Sequence, residues 1–129
     1  MVPVVRAVGL DHIVLNVADV ERALAWYCGE LGLEGVRVEE WRRGEAPFAS
    51  VRVDATTIID LVAAERTGTN VDHVCLEIEP TELETIVGSG RFDVVGGPAR
   101  LFGARGEGLG IYVRDPDGNV VELRHYGGK

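Results

Sequence analysis

The chain has few cysteines and no long apolar run, and its basic residues are in the minority. Its 129 residues include two cysteines, Cys28 and Cys75, too few for the disulfide framework of a small secreted protein. No stretch of about 20 apolar residues could cross a bilayer, and no apolar N-terminal segment precedes a small-residue cleavage site. These absences predict a cytoplasmic protein in which both cysteines are small buried hydrophobic residues.

The charge balance argues against two classes of partner. With 13 basic and 21 acidic residues, the formal net charge is −8. Nucleic-acid binding requires a basic stripe, and an anionic membrane surface also attracts basic segments. We therefore expect no nucleic acid and no membrane as partner, whereas the charge says little about a small-molecule substrate.

An internal repeat is the most informative feature that the chain does have. The segment Asp-His-Ile-Val-Leu at residues 11–15 returns as Asp-His-Val-Cys-Leu at residues 72–76, 61 residues later. Near the end of each half, Ile-Asp-Leu at residues 59–61 returns as Val-Glu-Leu at residues 121–123, 62 residues later. Each half therefore carries one histidine early and one carboxylate late, and both groups bind divalent metals.

Both halves have the same predicted order of elements, β-α-β-β-β. The expected strands of the first half cover residues 9–17, 36–41, 48–53 and 57–62, with a helix from Asp19 to Gly32. Those of the second half cover residues 71–78, 92–95, 110–114 and 119–126, with a short helix that starts at a Thr81–Glu84 capping box. No linker separates the halves, so we predict a single domain, residues 1–129, made of module 1 (about 8–64) and module 2 (about 70–127).

Strand periodicity places the candidate ligands on one face of the expected sheet. Because side chains alternate faces along a strand, apolar neighbours such as Ile13 and Leu61 should pack on the helices while the candidates point the other way. The candidates are His12, Asp60, His73 and Glu122. The prediction is an α+β fold, in which two βαβββ modules form an open curled mixed sheet with helices on the outer face and these side chains on the inner face.

Two imidazoles with one or two carboxylates suit one divalent metal ion per site, either Zn, Ni, Co, Mn or Fe. Imidazole binds without adding charge, carboxylate offsets the charge of the ion, and an open position admits a substrate oxygen. We therefore predict one metal ion held by His12, Asp60, His73 and Glu122. The third histidine, His125, has the opposite strand parity and is expected at the surface or at a sheet edge.

These residues resemble the vicinal oxygen chelate superfamily, which includes glyoxalase I, the bleomycin and fosfomycin resistance proteins and the extradiol dioxygenases. The resemblance covers nearly the whole chain and depends on three motifs: Leu-Asp-His-Ile-Val-Leu at residues 10–15, Trp-Tyr-Cys-Gly-Glu-Leu-Gly-Leu at residues 26–33, and Tyr-Val-Arg-Asp-Pro-Asp-Gly-Asn-Val-Val-Glu-Leu at residues 112–123. The third motif includes a strong turn sequence at residues 115–118. Residues 97–106 also resemble a subgroup of small glyoxalase-domain proteins, some of them labelled virulence proteins.

The resemblance implies a homodimer of paired modules around a metal, with ligand positions that fall on His12, Asp60, His73 and Glu122. Asp60 departs from the pattern, because glyoxalase I typically has glutamate there and aspartate is one methylene shorter. If Asp60 does not ligate the metal, the other three residues form a 2-His-1-carboxylate triad, as in the extradiol dioxygenases and the fosfomycin-resistance transferases.

The leading function is a metal-dependent lyase or isomerase of the glyoxalase I type. The metal would hold two adjacent oxygens of a small oxygen-rich substrate and stabilise an enediolate. Either Glu122 or Asp60 would be catalytic, carrying a proton between neighbouring carbons.

Three other functions stay open. An Fe(II) ring-cleaving dioxygenase would use Tyr112, ten residues before Glu122, although the extra acid-base histidine of those enzymes is absent from residues 101–104. A drug-sequestering resistance protein would need no metal ligands. A thiol transferase acting on fosfomycin would bind the phosphonate through basic residues. The candidate substrate-binding residues are therefore Arg52, Tyr112, Arg114 and Arg124.

Residues 96–110 contain six glycines, which lower the cost of alternative backbone conformations. We expect this stretch to be a flexible connection that borders the site and moves when substrate binds. Arg100 and Arg105 on it would then face an anionic substrate.

Overall fold

The computed structural model describes residues 3–65, 67–114 and 118–127. The chain forms two compact units. The first-half unit is His12–Asp72, and the second-half unit combines Met1–Asp11 with His73–Lys129. The single domain predicted from the sequence stays a prediction, whereas the α+β class and the repeated βαβββ order are confirmed.

The strands of the first-half unit are β1 (Ala7–Val17, in this unit from His12 onward), β2 (Glu34–Val36), β3 (Ala49–Asp54) and β4 (Thr57–Ala63). Its helices are α1 (Val20–Leu24), which continues as a π-helical turn at Ala25–Glu30, and α2 (Val38–Arg42). The strand order is β2-β3-β4-β1. Strands β1 and β4 run parallel, and the other neighbours run antiparallel, so the sheet of this unit is mixed.

The helix of the first-half unit begins and ends as its sequence predicts. The side chain of Asp19 accepts the backbone N–H of Arg22 at 3.0 Å, as expected of an N-cap. Gly32 has φ +76°, the left-handed conformation that favours glycine after a helix. Val20 and Leu24 are buried against a core that includes Leu61 of β4, so the apolar strand face packs on the helix as predicted.

The strand predicted at residues 36–41 is wrong beyond its first residue. Strand β2 ends at Val36, because Arg37 has φ +58° and interrupts the extended backbone. Helix α2 begins at once, and Val38 and Trp41 both pack against the core of this unit. Their spacing of three residues fits one helix face, whereas in a strand the two side chains would point to opposite faces.

The elements of the second-half unit are β5 (Val71–Ile78, in this unit from His73 onward), α3 (Leu83–Gly88), β6 (Asp93–Gly103), β7 (Gly106–Arg114) and β8 (Val120–His125). The strand order is β5-β8-β7-β6, with β5 and β8 parallel. The buried core of this unit consists of Ile78, Leu83, Ile86, Ile111, Val113 and Leu123. Its four strand residues lie on the sheet face opposite to the side chain of Glu122, and its other two residues belong to α3. The apolar face of the sheet therefore packs on α3 as predicted.

Two predicted features of this unit are wrong, and one lies outside the described residues. The capping box does not form: helix α3 has Glu82 at its N-cap position, one residue after Thr81. His125 is not at the surface but is 7% exposed, and it is not at a sheet edge, because β8 lies between β5 and β7. The turn at residues 115–117 lies outside the described residues, although Gly118 after it has φ +88°.

The glycine-rich stretch is a β-hairpin, not the loop that its composition predicts. Strands β6 and β7 pair from Asp93–Arg114 to Gly103–Gly106, with register shifts near Gly96. Some of its glycines mark close packing: a Cβ on Gly108 would lie 2.6 Å from the carbonyl oxygen of His125. Glycine is needed here because a neighbouring strand is too close for any side chain.

In the described part of the chain, no helix has the length and apolar character needed to cross a membrane.

Candidate functional site

The first-half unit holds a buried pair of histidine and carboxylate. In the parallel register of β1 and β4, His12 lies opposite Ile58 and Val14 lies opposite Asp60, so His12 and Asp60 are diagonal neighbours on one face. Nε2 of His12 is 3.7 Å from Oδ2 of Asp60, and both residues are 2% exposed. Ser50, opposite Asp60 on β3, donates its hydroxyl to Oδ1 at 2.6 Å.

The second-half unit holds the repeat-equivalent pair. Cys75 of β5 lies opposite Glu122 of β8, which puts His73 diagonal to Glu122. Nε2 of His73 is 3.2 Å from Oε1 of Glu122, and the glutamate is 1% exposed. Tyr112 of β7 lies opposite Glu122, in the position equivalent to that of Ser50 opposite Asp60 in the first half. The Tyr112 ring contacts the His73 ring edge to face, with ring centroids 5.3 Å apart.

The guanidinium of Arg124 is fully buried, and each of its five N–H groups has a protein acceptor. Nε and Nη2 donate to Oε2 of Glu122 at 2.9 and 2.7 Å. Nη2 also donates to the carbonyl of Phe102 at 2.9 Å. Nη1 donates to the carbonyl of Leu101 at 3.0 Å and to the hydroxyl of Tyr126 at 3.4 Å. All five donors therefore have partners inside the protein, and the expected role of Arg124 in substrate binding stays a prediction.

Two buried carboxylates balance the charge of Arg124. Burial works against the charged guanidinium, but the neighbouring carboxylate of Glu122 raises the pKa of Arg124 above its ordinary value. Oδ2 of Asp11 is 3.8 Å from Nε of Arg124 and accepts the backbone N–H of Ala104 at 3.0 Å. Oδ1 of Asp11 accepts the hydroxyl of Tyr126 at 2.5 Å. A buried charge of either sign is costly without such partners.

Sequence reasoning missed Asp11, Tyr126 and Ser50. The repeat gave one signal for Asp11, because this residue precedes His12 in the repeated segment. Its counterpart Asp72 is exposed, however, so the repeat alone does not show which of the two aspartates is buried. A second signal was the parity of Arg124, which matches that of Glu122 on a central strand. An arginine on that face requires a buried anion.

The other candidate substrate-binding arginines lie at strand ends. Arg52 donates Nη1 to the carbonyls of Asp54 and Ala55 at 3.1 and 3.4 Å, next to the turn between β3 and β4. Arg114 is exposed at the end of β7 and lines a cavity of about 630 Å³ together with Phe92 and Val121.

The tip of the β6–β7 hairpin is bound to the body of the second-half unit. The backbone N–H of Arg105 donates to the hydroxyl of Tyr126 at 3.3 Å, and its guanidinium lies 4.4 Å from the centroid of the Tyr126 ring. The same guanidinium forms an ion pair with Glu77. Arg100 is exposed, 3.9 Å from Glu107. Of the two arginines expected to meet an anionic substrate, Arg105 is therefore part of the contacts that hold the hairpin tip.

The pair distances test whether these residues suit a metal ion. Two ligand atoms about 2.1 Å from one ion, at right angles to each other, are about 3.0 Å apart. The 3.2 Å between His73 Nε2 and Glu122 Oε1 fits that spacing, whereas the 3.7 Å between His12 Nε2 and Asp60 Oδ2 is longer. Nitrogen and carboxylate donors at this spacing fit a divalent ion, and the longer first-half distance agrees with the shorter side chain of Asp60.

Gly103 provides the space that the Arg124 guanidinium occupies. A Cβ at this position would lie 2.3 Å from Nη1 of Arg124 and 2.6 Å from Oδ2 of Asp11. We therefore expect Gly103→Ala to lower the free energy of unfolding by about 1–3 kcal/mol, the usual cost of overpacking, measured by urea denaturation. Gly88→Ala is the control, because a Cβ on Gly88 would meet nothing within 4 Å, and it should not destabilise the protein. Equal stability of the two variants would contradict this reading of Gly103.

The raised pKa of the Tyr126 phenol predicts that the free energy of unfolding decreases at alkaline pH. Burial, and then the hydrogen bond to Asp11, raise the pKa of Tyr126 from 10.0 to about 12. Because the folded chain keeps a proton that the unfolded chain loses, stability should fall as the pH rises from about 10 to about 12. Unfolding free energies measured across this range should show a smaller decline in Tyr126→Phe. The control is Tyr27→Phe, and an unchanged decline in Tyr126→Phe would contradict the prediction.

Comparison with known proteins agrees with the fold. The model of the Glyoxalase/Bleomycin resistance protein/Dioxygenase superfamily matches residues 9–123. Virulence protein STM3117 of Salmonella typhimurium is 29% identical over 122 residues, which cover 91% of this chain and 83% of that protein.

Two solved structures share the fold at low identity. The Mn(II)-bound glyoxalase from Novosphingobium aromaticivorans has a TM-score of 0.66 and 20% identity, covering 95% of this chain and 40% of that one. Methylmalonyl-CoA epimerase from Mycobacterium tuberculosis has a TM-score of 0.63 and 19% identity, covering 98% of this chain and 93% of that one. Since the family model matches most of its length, the chain belongs to the glyoxalase, bleomycin resistance protein and dioxygenase superfamily.

Proposed function

We propose that this protein is a metal-dependent lyase or isomerase of the glyoxalase I type, acting on a small oxygen-rich substrate. The observation that supports the proposal is the repetition of one buried histidine–carboxylate pair in each unit. Membership of the superfamily adds to it, because solved proteins of the same fold include a Mn(II)-bound glyoxalase and an epimerase.

The proposed metal site consists of His12, His73 and Glu122, with Asp60 as a weaker fourth ligand. The ion is divalent, one of Zn, Ni, Co, Mn or Fe, and when bound it would stabilise negative charge that develops on a substrate oxygen. The donor atoms suit it: both histidines offer Nε2 next to a carboxylate oxygen, and all four residues are buried or nearly so.

The chain's own groups supply the remaining chemistry. A carboxylate, Asp60 or Glu122, takes a proton from one substrate carbon and returns it to the neighbouring carbon. The aromatic ring of Tyr112 packs on His73 and limits the orientations of that imidazole. Arg52 and Arg114 are the candidates for binding an anionic substrate group.

A ring-cleaving Fe(II) dioxygenase is the second candidate, favoured by one contact. Tyr112 lies beside the imidazole of His73, where a tyrosine could donate to a substrate oxygen. Elemental analysis after mild purification separates the candidates, since iron favours the oxygenase and nickel, cobalt or zinc the lyase or isomerase.

The expected homodimer also stays a prediction. Val8 and Leu10, on one face of β1, are 55% and 40% exposed, which suits burial against a second copy. Light scattering at micromolar concentration, with the metal site fully loaded, should give the mass of a dimer.

The ligand assignment predicts the effect of removing one imidazole. His73→Ala should abolish one-to-one metal binding, because it removes a nitrogen ligand from a site with few others. Elemental analysis and calorimetric titration with Mn²⁺ measure both stoichiometry and affinity.

The matched control is His125→Asn, since His125 is also buried but is not assigned to the site. This variant should bind metal as the unaltered protein does. One-to-one binding with unchanged affinity in His73→Ala would disprove the assignment.

A further inference from the structure

One oxygen of Glu122 is held by Arg124, and the other lies beside His73. Nε and Nη2 of the guanidinium both donate to Oε2, and Oε1 is 3.2 Å from Nε2 of His73. Charge-assisted bonds of this kind are roughly twice as strong as neutral ones. Turning the carboxylate about its last torsion would break both bonds, so the guanidinium holds the other oxygen of Glu122 beside His73.

Arg124 is itself held in one place. Its remaining N–H groups donate to the carbonyls of Leu101 and Phe102 and to the hydroxyl of Tyr126. Asp11 lies on the same guanidinium and also accepts the backbone N–H of Ala104. The hairpin tip and the start of β1 therefore set the orientation of Glu122 through Arg124. The proposed metal ligands of this unit, His73 and Glu122, lie on neither of these segments.

The repeat-equivalent carboxylate is supported by a different kind of group. Asp60 accepts a hydrogen bond from the neutral hydroxyl of Ser50, and the position equivalent to Arg124 in the first half is Val62. A hydroxyl rotates about its bond and carries no charge, whereas a guanidinium is a planar fork with a permanent charge. The support of Glu122 is thus a property of the second-half unit and not of the repeat.

We infer that Arg124 is a positioning residue for the metal site: it fixes Glu122 through Oε2 so that Oε1 is the ligand atom. The inference rests on the proposed function, because it assigns Arg124 an effect on metal binding that acts through Glu122. Residues that orient metal ligands in this way typically change metal affinity by about 10–100-fold when they are removed.

The experiment is calorimetric titration of the purified full-length protein with Mn²⁺. Arg124→Gln should bind Mn²⁺ about 10–100-fold more weakly than the unaltered protein, with the stoichiometry unchanged. Arg42→Gln is the matched control, because Arg42 also donates two N–H groups to one carboxylate. That carboxylate belongs to Glu21, and the pair lies on the exposed surface. It should leave the affinity unchanged. Ser50→Ala should cause a smaller loss than Arg124→Gln.

A double-mutant cycle separates positioning from general loosening of the fold. Glu122→Asp keeps a carboxylate but ends one methylene short of the Arg124 fork, so adding Arg124→Gln to it should weaken Mn²⁺ binding little further. If Arg124→Gln costs the same factor in both backgrounds, Arg124 does not act through Glu122 and the inference is wrong. Should Arg124→Gln not fold, Arg124→Lys replaces it in the cycle, because lysine keeps the charge without the fork.

The outcomes for the two proposals are distinct. If the unaltered protein does not bind Mn²⁺, or if His73→Ala binds it equally well, the proposed metal site is wrong and the inference is overturned with it. If metal binding requires His73 but the cycle is additive, the site stands and only the role of Arg124 is lost.

Discussion

The buried guanidinium of Arg124 is the constraint on which most of the second-half unit depends. A charge that is fully removed from water must be neutralised and must have its donors satisfied. Here Glu122 and Asp11 supply the negative charge, and two carbonyls of the β6–β7 hairpin with the Tyr126 hydroxyl supply the remaining acceptors. Strand β8, the hairpin tip and the start of β1 are thereby joined through one side chain.

Much of the fold could be predicted from the sequence, because it follows from short-range patterns. The repeat predicted two βαβββ modules, and period-2 alternation predicted which strand residues pack on the helices, as Leu61 and Leu123 do. The errors came where one residue's backbone conformation decided the outcome. Arg37 adopts a positive φ that its sequence context does not indicate, and the strand predicted there becomes helix α2.

The candidate site divides in the same way. To predict that each of these histidines and carboxylates lies on the strand face away from the helices needed only parity and the repeat. The contact of His12 with Asp60, and of His73 with Glu122, also depends on which strands are neighbours. The contact between Asp11 and Tyr126 could not be predicted from parity and the repeat, because it joins residues 115 positions apart and depends on which strands are neighbours. Glycines misled for a related reason: in residues 96–110 they serve close strand packing, and composition alone suggests flexibility.

Because Gly103 has no side chain, it constrains the order in which amino-acid substitutions can accumulate in this protein. The guanidinium of Arg124 occupies the volume that a methyl group at position 103 would fill, so substitutions at the two positions are not independent. An alanine at 103 is harmful while the arginine is present, and it becomes tolerable only after a shorter residue has replaced the arginine and the carboxylate of Asp11 has moved aside. Once both have changed, restoring the arginine alone would be blocked by that methyl group. The order of substitutions is therefore constrained, and the network is easier to lose than to regain.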